Sequence, residues 1–382
     1  MVALVKRICL LGASGSIGSQ TLDILRAERS SFSLIAVSVG ERIGALETII
    51  RDFPECRFFT VKKEADYRAL KAKYPQFAWF FGDEGLLSLV EESRPDMVVN
   101  ALLGFAGLAP SIKTLELGID LALANKESLV VGRELIEKAL SSSRSHLYPI
   151  DSEHVAIAKC LQKAGNRPID HLILTASGGP FRTRERASLT NVTVEEALRH
   201  PSWKMGPKIT IDSATMMNKG FEVLEAAALF HAEPESIEVV IHPESHVHSA
   251  VRLKDGKILA EVNEPDMRGP ISYALHEGKV SLDDVVEIND LSELPYHFEK
   301  FDPERFPLVP LAIKAYRMGG AAPAILNAAD EEAVKMFLSD AISFLEIERR
   351  VSLALDTISN IINPSLPDLV SITETTKKKV RE

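Results

Sequence analysis

Arg7-Ile8-Cys9-Leu10-Leu11-Gly12-Ala13-Ser14-Gly15-Ser16-Ile17-Gly18 is an apolar run that ends in a glycine-rich turn. Thr21, Leu22, Ile24 and Leu25 then recur at helical spacing, so the order is strand, glycine turn, helix. Glycines let the backbone turn tightly and approach a pyrophosphate, whose charge is met by free N–H groups and the helix dipole. A tight strand-to-helix turn also uses glycine for steric reasons alone. The surrounding pattern decides between these readings.

A second strand, Ser33 to Val39, follows at the spacing of a dinucleotide fold and runs into Gly40-Glu41-Arg42. At this point such a fold chooses between a ribose hydroxyl, which an acid accepts from, and a ribose phosphate, which an arginine meets. Glu41 and Arg42 supply both. Further strands are expected at Arg57 to Val61, Asp96 to Asn100 and Asp120 to Ala124, alternating with helices such as Glu64 to Lys73 and Pro110 to Leu117. That alternation implies a parallel, doubly wound sheet. Ala124-Asn125-Lys126-Glu127-Ser128 closes the last strand at the carboxyl edge, where such sheets bind ligands, although Lys126 and Glu127 also suit an ordinary exposed pair.

The chain has 382 residues, enough for two or three domains. Its formal net charge of -10 excludes a broad basic face for nucleic acid or membrane. Cys9, Cys56 and Cys160 are scattered and odd in number, which suits a reducing cytoplasm rather than a disulfide framework or a structural zinc site. The amino terminus, interrupted by Lys6-Arg7, does not read as a secretory signal, and no run is long enough to span a bilayer.

Pro149-Ile150-Asp151-Ser152-Glu153-His154 changes the character of the chain. On an extended backbone Asp151 and Glu153 point to one side and Ser152 to the other. Two anions fixed together need a cation or a shared proton, and a hard divalent metal suits them. The competing reading is a solvated turn whose Asp-Ser pair caps a helix carrying Val155 to Leu161.

After the strand His171 to Thr175, the loop Ala176-Ser177-Gly178-Gly179-Pro180-Phe181 offers donors with little side-chain bulk, suited to an anion. His200-Pro201-Ser202-Trp203-Lys204-Met205-Gly206-Pro207-Lys208 puts one of two tryptophans on a loop bracketed by proline and glycine, which suits a lid; Trp203 could equally plug a local gap. Ile209 to Ile211 is expected as a strand, with a helix starting near Asp212, Ser213 and Thr215. Ser213, Asn218 and Lys219 would donate to a phosphate. Glu222 shares a helical face with Asn218 and Lys219 and is the natural third acid.

Glu235 to Ile241, His248 to Leu253 and Ile258 to Val262 read as a small antiparallel sheet. Pro243 and the absence of nearby cysteine count against a zinc site at His242, His246 and His248, and one of these is expected to face the cleft. Residues 277–304 read as a linker. Helical spacing returns at Leu311 to Met318, Pro323 to Leu338 and Phe344 to Ile358, and Lys377-Lys378-Lys379 reads as a solvated tail.

Taken together, these motifs resemble the 1-deoxy-D-xylulose 5-phosphate reductoisomerase family over nearly the whole chain. Besides the stretches quoted, Glu264-Pro265-Asp266-Met267-Arg268 occurs in the family's order. The resemblance implies an α/β protein with an N-terminal Rossmann-type doubly wound parallel sheet (1–150) and a central α+β catalytic domain (151–276) with its lid at 200–208. The linker (277–304) and a C-terminal helical bundle (305–382) would follow, assembled as a homodimer. It implies NADPH as cofactor, bound by Gly12, Ala13, Ser14, Gly15, Ser16, Ile17, Gly18, Gly40, Arg42, Asn125, Lys126, Glu127, Gly206 and Met267. Asp151, Glu153 and Glu222 would hold Mg2+ or Mn2+. Ser177, Ser213, Asn218 and Lys219 would bind the phosphate of 1-deoxy-D-xylulose 5-phosphate with His200 close by, Ser152 and Lys126 would contact its hydroxyl end, Trp203 and Met205 would belong to the lid, and His248 would lie near the substrate. The family usually has a basic residue followed by asparagine where Glu41-Arg42 stands. A dinucleotide-binding regulator should have lost some of the acids or phosphate donors, and a simple dehydrogenase has no need of three convergent acids.

Overall fold

Ile8, Cys9, Leu10 and Leu11 are all fully buried, as a strand covered on both faces must be, and they place β1 (Lys6–Leu11) at the centre of a parallel sheet. In the computed structural model, which describes residues 5–201, 203 and 205–382, the chain forms two compact units. The first comprises the chain up to Ser128, with Glu134–Asp151 and Asp266–Val280.

Its seven strands are β1, β2 (Phe32–Ser38), β3 (Phe58–Val61), β4 (Ala78–Phe81), β5 (Met97–Asn100), β6 (Asp120–Leu123) and β7 (Leu147–Pro149), in the order β4-β3-β2-β1-β5-β6-β7. Every pairing is parallel. The strand order reverses at β1, between β2 and β5, so the glycine turn leaves at the topological switch point. The sequence gives little warning of β4 and β7, which have four and three residues, too few for a period to show. A helix from outside the expected domain, Arg268–Leu275, completes this unit by burying Ile271, Ala274 and Leu275 in the same core as Ile8 and Leu10.

The second unit comprises Leu129–Arg133, Ser152–Pro265 and Ser281–Glu382. It contains a six-stranded sheet of β8 (Ile169–Ala176), β9 (Ile237–Ile241), β10 (Val247–Leu253), β11 (Ile258–Val262), β12 (Val285–Ile288) and β13 (Glu299–Lys300), ordered β12-β11-β10-β8-β9-β13. β12 and β13 come from residues 277–304, expected as a linker, and they pair at opposite edges of the sheet. The stretch supplies both edge strands of this sheet, with the short 3-10 turn Leu291–Glu293 between them.

Ile209, Thr210 and Ile211, expected as a strand, lie in the helix Pro207–Thr215. Gly206 caps this helix and Pro207 occupies its first turn, and that start signal overrides the β-branched composition. Asp212 and Ser213 consequently sit near its carboxyl end. The helices Leu308–Met318, Ala322–Leu338, Phe344–Thr357 and Leu366–Arg381 follow. The expected solvated tail belongs to the last of them, where Lys377 pairs with Glu331 at 2.8 Å. No described helix is long and apolar enough to cross a membrane.

Candidate active site

The glycine turn is built by close approach. Gly12 has φ +85°, and a Cβ there would lie 2.5 Å from the Ala101 carbonyl oxygen; one on Gly18 would lie 2.3 Å from the Gly12 oxygen. Ala13 N–H donates to Ser38 O at 2.9 Å, which ties the turn to β2. Gly15 caps the helix Ser16–Ala27 without a side-chain hydrogen bond, so the N–H groups around Ser14, Ser16 and Ile17 are not consumed by a capping side chain. The close backbone packing at Gly12 and Gly18 makes the turn tight, and its uncapped helix start fits a dinucleotide pyrophosphate.

Other expected cofactor residues have varied roles. Asn125 is buried and its amide donates to Leu102 O and Gly104 O, both at 2.9 Å, while its oxygen accepts from Ser128 N–H at 3.0 Å. It staples the 101–107 loop to the start of the helix Lys126–Ser141 and also donates to Glu127 Oε2 at 3.2 Å. Gly40 has open space around it. Met267 packs against the first unit's core, whereas Gly206 caps a helix of the second unit. Glu41 turns to Lys62 and Lys63, at 3.7 and 3.4 Å.

The three acids converge by a different route from the alternation expected. The helix Ser152–Ala164 starts immediately after Asp151, so Ser152 does not point away: its hydroxyl donates to Glu153 Oε2 at 2.6 Å. The start of the helix, directly following Asp151, gathers these side chains. Carboxylate oxygens of Asp151, Glu153 and Glu222 lie within 4.8 Å of one another. Lys126 Nζ stands 2.7 Å from Asp151 Oδ2. Lys219 Nζ donates to Glu153 Oε1 at 2.9 Å and also to Glu222, whose other oxygen accepts from Asn218. Lys219 is thus directed at the acids rather than towards the hydroxyls it was expected to join. Burial alone would lower its pKa, but the Glu153 and Glu222 carboxylates outweigh that effect and raise it. Three hard oxygen donors in this space, already demanding positive charge, fit a divalent cation of the Mg2+ or Mn2+ type.

A second cluster carries the neutral donors. Trp203 N–H donates to His200 Nδ1 at 2.9 Å, which leaves the ring proton on Nε2, directed at Ser177 Oγ (3.1 Å) and Ser213 Oγ (3.0 Å). Burial lowers the His200 pKa and so favours this neutral form. Gly178 (φ +80°) and Gly179 (φ +67°) let the Ser177 loop close on the Pro207–Thr215 helix, where a Cβ on Gly179 would meet Ser213 O at 2.5 Å. Met216, in a left-handed turn at φ 62°, then redirects the chain into the helix Met217–Phe230 that carries Asn218, Lys219 and Glu222. Of the expected lid, Trp203 and Met205 are half-buried, and Ser202 and Lys204 lie outside the described residues.

Among the three clustered histidines, His248 is the one that meets Trp203, with ring centroids 6.3 Å apart. His242 is structural: its Nε2 accepts from His246 N–H and Val247 N–H, both at 3.0 Å. Sequence reading passed over His154. It is fully buried, its Nε2 donates to the Glu222 backbone carbonyl at 3.0 Å, and its Nδ1 lies 3.6 Å from Glu225. Glu225 follows Glu222 by three residues, one further step along the same helical face, and that spacing was the available signal.

Fold and site together define a Rossmann-type α/β protein with a three-carboxylate centre and a hydroxyl–imidazole cluster. Three family models match in succession: 1-deoxy-D-xylulose 5-phosphate reductoisomerase over residues 8–133, its C-terminal domain over 147–230, and the DXP reductoisomerase C-terminal domain over 262–379. A 1-deoxy-D-xylulose 5-phosphate reductoisomerase of Geobacillus sp. (strain WCH70) is 44% identical over 380 residues, 99% of each chain. The structure of the enzyme from Zymomonas mobilis in complex with NADPH superposes with a TM-score of 0.87 at 36% identity, covering 98% of both chains. A crystal structure of DOX-P reductoisomerase in complex with NADPH, fosmidomycin and magnesium gives 0.89 at 34% identity, covering 99% of this chain and 98% of that one. The chain belongs to the 1-deoxy-D-xylulose 5-phosphate reductoisomerase family.

Proposed function

We propose that the protein converts 1-deoxy-D-xylulose 5-phosphate to 2-C-methyl-D-erythritol 4-phosphate, using NADPH and Mg2+ or Mn2+, in the non-mevalonate synthesis of isoprenoid precursors. The observation that carries this reading is the convergence of Asp151, Glu153 and Glu222 within 4.8 Å in a chain matched end to end by the family. A bound divalent ion supplies positive charge that stabilises enolate-like charge developing on the substrate while a carbon–carbon bond breaks and re-forms. NADPH supplies the hydride that reduces the resulting aldehyde.

The residues of this chain do the rest. Asp151, Glu153 and Glu222 would hold the ion; Lys126 and Lys219 balance their charge, and Ser152 orients Glu153 through its hydroxyl. Ser177, Ser213 and His200 would grip the phosphate, joined by Asn218 and Lys219 once these turn from Glu222. Holding the substrate at both ends keeps the fragments together between bond breaking and bond making. Trp203, Met205 and His248 cover it. Residues 1–150 would carry NADPH, 151–276 the metal and substrate, and 305–382 the bracing helices, with the protein acting as a cytoplasmic homodimer. The buried, unbridged Cys9, Cys56 and Cys160 support a reducing compartment.

The test is identification of the product after mixing the protein with 1-deoxy-D-xylulose 5-phosphate, NADPH and Mg2+. Formation of 2-C-methyl-D-erythritol 4-phosphate with stoichiometric NADPH oxidation is expected. Oxidation without rearrangement would point to a simple dehydrogenase, and no turnover to a regulator.

A further inference from the structure

At the carboxyl edge of the first sheet β2 and β3 leave side by side, with Val39 N–H donating to Thr60 O at 3.0 Å. Residues following the two strands therefore share one corner. Glu41 and Arg42 come from β2, Lys62 and Lys63 from β3. The Glu41 carboxylate lies 3.7 Å from Lys62 Nζ and 3.4 Å from Lys63 Nζ, and these three side chains are 57%, 69% and 58% exposed. Pairs so open to water contribute little to stability, so the arrangement is not explained as a fold-holding contact.

In this class of fold an acid after the second strand accepts from the ribose hydroxyls and repels a 2′-phosphate. Here the acid is already engaged. Its hydrogen bond to Lys63, together with the charges of Lys63 and Lys62, holds it below the usual carboxylate range. The two lysines against Glu41 leave this cluster one surplus positive charge, and Arg42, the next residue after Glu41, supplies a second cation to set against the charge of about -2 that a phosphate monoester carries at neutral pH.

We propose that Lys62 and Lys63, with Arg42, form the subsite for the 2′-phosphate of the dinucleotide, and that Glu41 is an exchangeable counterion holding the two ammonium groups at the corner until the phosphate displaces it. This deepens the reading above and rests on NADPH being the coenzyme of the first unit. It also reconciles the acid at position 41 with NADPH, because the cations it opposes come from the next strand and not only from its neighbour Arg42.

The experiment measures dissociation constants for NADPH and NADH, by nicotinamide fluorescence, in wild type, Lys62→Ala, Lys63→Ala, the double variant and Glu41→Ala. Each single lysine variant should bind NADPH about tenfold more weakly, the scale of a lost charge-assisted contact, with NADH unchanged. The double variant should bind NADH at least as well as NADPH, since Glu41 is then released to the ribose. Glu41→Ala should bind NADPH no more weakly than wild type. NADPH affinity in wild type should fall with added salt more steeply than NADH affinity. A double variant with the wild-type NADPH preference, or parallel loss of both coenzymes, overturns the proposal; so does a Glu41→Ala variant that loses NADPH. A wild type that forms the expected product while the double variant keeps its selectivity defeats this inference alone. A wild type that binds neither coenzyme defeats it together with the reading on which it rests.

Discussion

Glu222 is 1% exposed, and both of its carboxylate oxygens are engaged, one by Asn218 and the other by Lys219. Replacing it with Gln preserves the shape and removes one negative charge from the cluster. Mn2+ affinity should fall roughly tenfold to a hundredfold, the range for losing a charged contact, while the melting temperature moves little. Unchanged Mn2+ titration in Glu222→Gln would remove this residue from the metal set. His200 gives a pH prediction. Burial depresses its pKa below 6.5, so the folded protein disfavours the proton that the unfolded chain accepts. The contribution is fully present above 6.5 and is lost as pH falls through that value towards the depressed folded one. Protonation would also place a hydrogen on Nδ1, where Trp203 N–H now donates. Affinity for 1-deoxy-D-xylulose 5-phosphate and the Trp203 signal, followed in a Trp79→Phe background, should both decline across this window. A flat profile would show that His200 does not hold the pocket.

The helix Pro207–Thr215 shows how an element transmits order to a single hydroxyl. Lys208 lies 2.6 Å from Asp212 and 2.8 Å from Asp330, a fully buried residue of the helix Ala322–Leu338. Asp212 precedes Ser213, so the position of that hydroxyl is referred to the carboxyl-terminal helices. On the opposite wall Phe181 is inserted edge-on against Phe344 at 5.1 Å, which refers the Ser177 loop to the same helices. Asp330→Asn should therefore cost about 1–3 kcal/mol of stability and weaken 1-deoxy-D-xylulose 5-phosphate binding while leaving Mn2+ affinity intact. Denaturant melts and the two titrations would separate these effects, and equal losses of metal and substrate affinity would contradict the assignment. Much of this could be read in advance: the Asn218, Lys219, Glu222 face follows from helical spacing, and β1, β2, β5 and β6 from apolar runs. The Pro207–Thr215 helix was misread because Ile209-Thr210-Ile211 has strand composition, and Ser152 because alternation was assumed where a helix begins. Lys62 and Lys63 were invisible for another reason: their importance depends on β2 and β3 being neighbours, a fact of topology and not of local pattern.

At the scale of the whole molecule the chain is less segmental than its motifs suggest. Residues 266–280 return to the first unit after the second sheet is largely built, and Ile271, Ala274 and Leu275 are fully buried there. Lys6 Nζ fastens the returning segment by donating to Leu275 O at 2.8 Å and pairing with Glu277 at 2.7 Å. A fragment of residues 1–150 lacks this helix and leaves its apolar seat open, so it should melt without a cooperative transition. In the full chain Leu275→Ala should destabilise the first unit by roughly 2–5 kcal/mol, the range for emptying a buried leucine site. Acid should loosen the same segment. Lys279 and Lys6 hold the Glu277 pKa at about 2, below its ordinary 4.5, so its contribution is present above 4.5 and lost as pH falls through the interval towards 2. Hydrogen-exchange protection in residues 266–280, relative to the intrinsic rate at each pH, should fall over that interval, and Glu277→Gln should show the lower protection already at neutral pH. Were the variant to exchange like wild type at pH 7, the Lys6–Glu277 pair would be incidental, and apolar packing by Ile271 and Leu275 with the Lys6–Leu275 hydrogen bond would account for the return of this segment to the first unit.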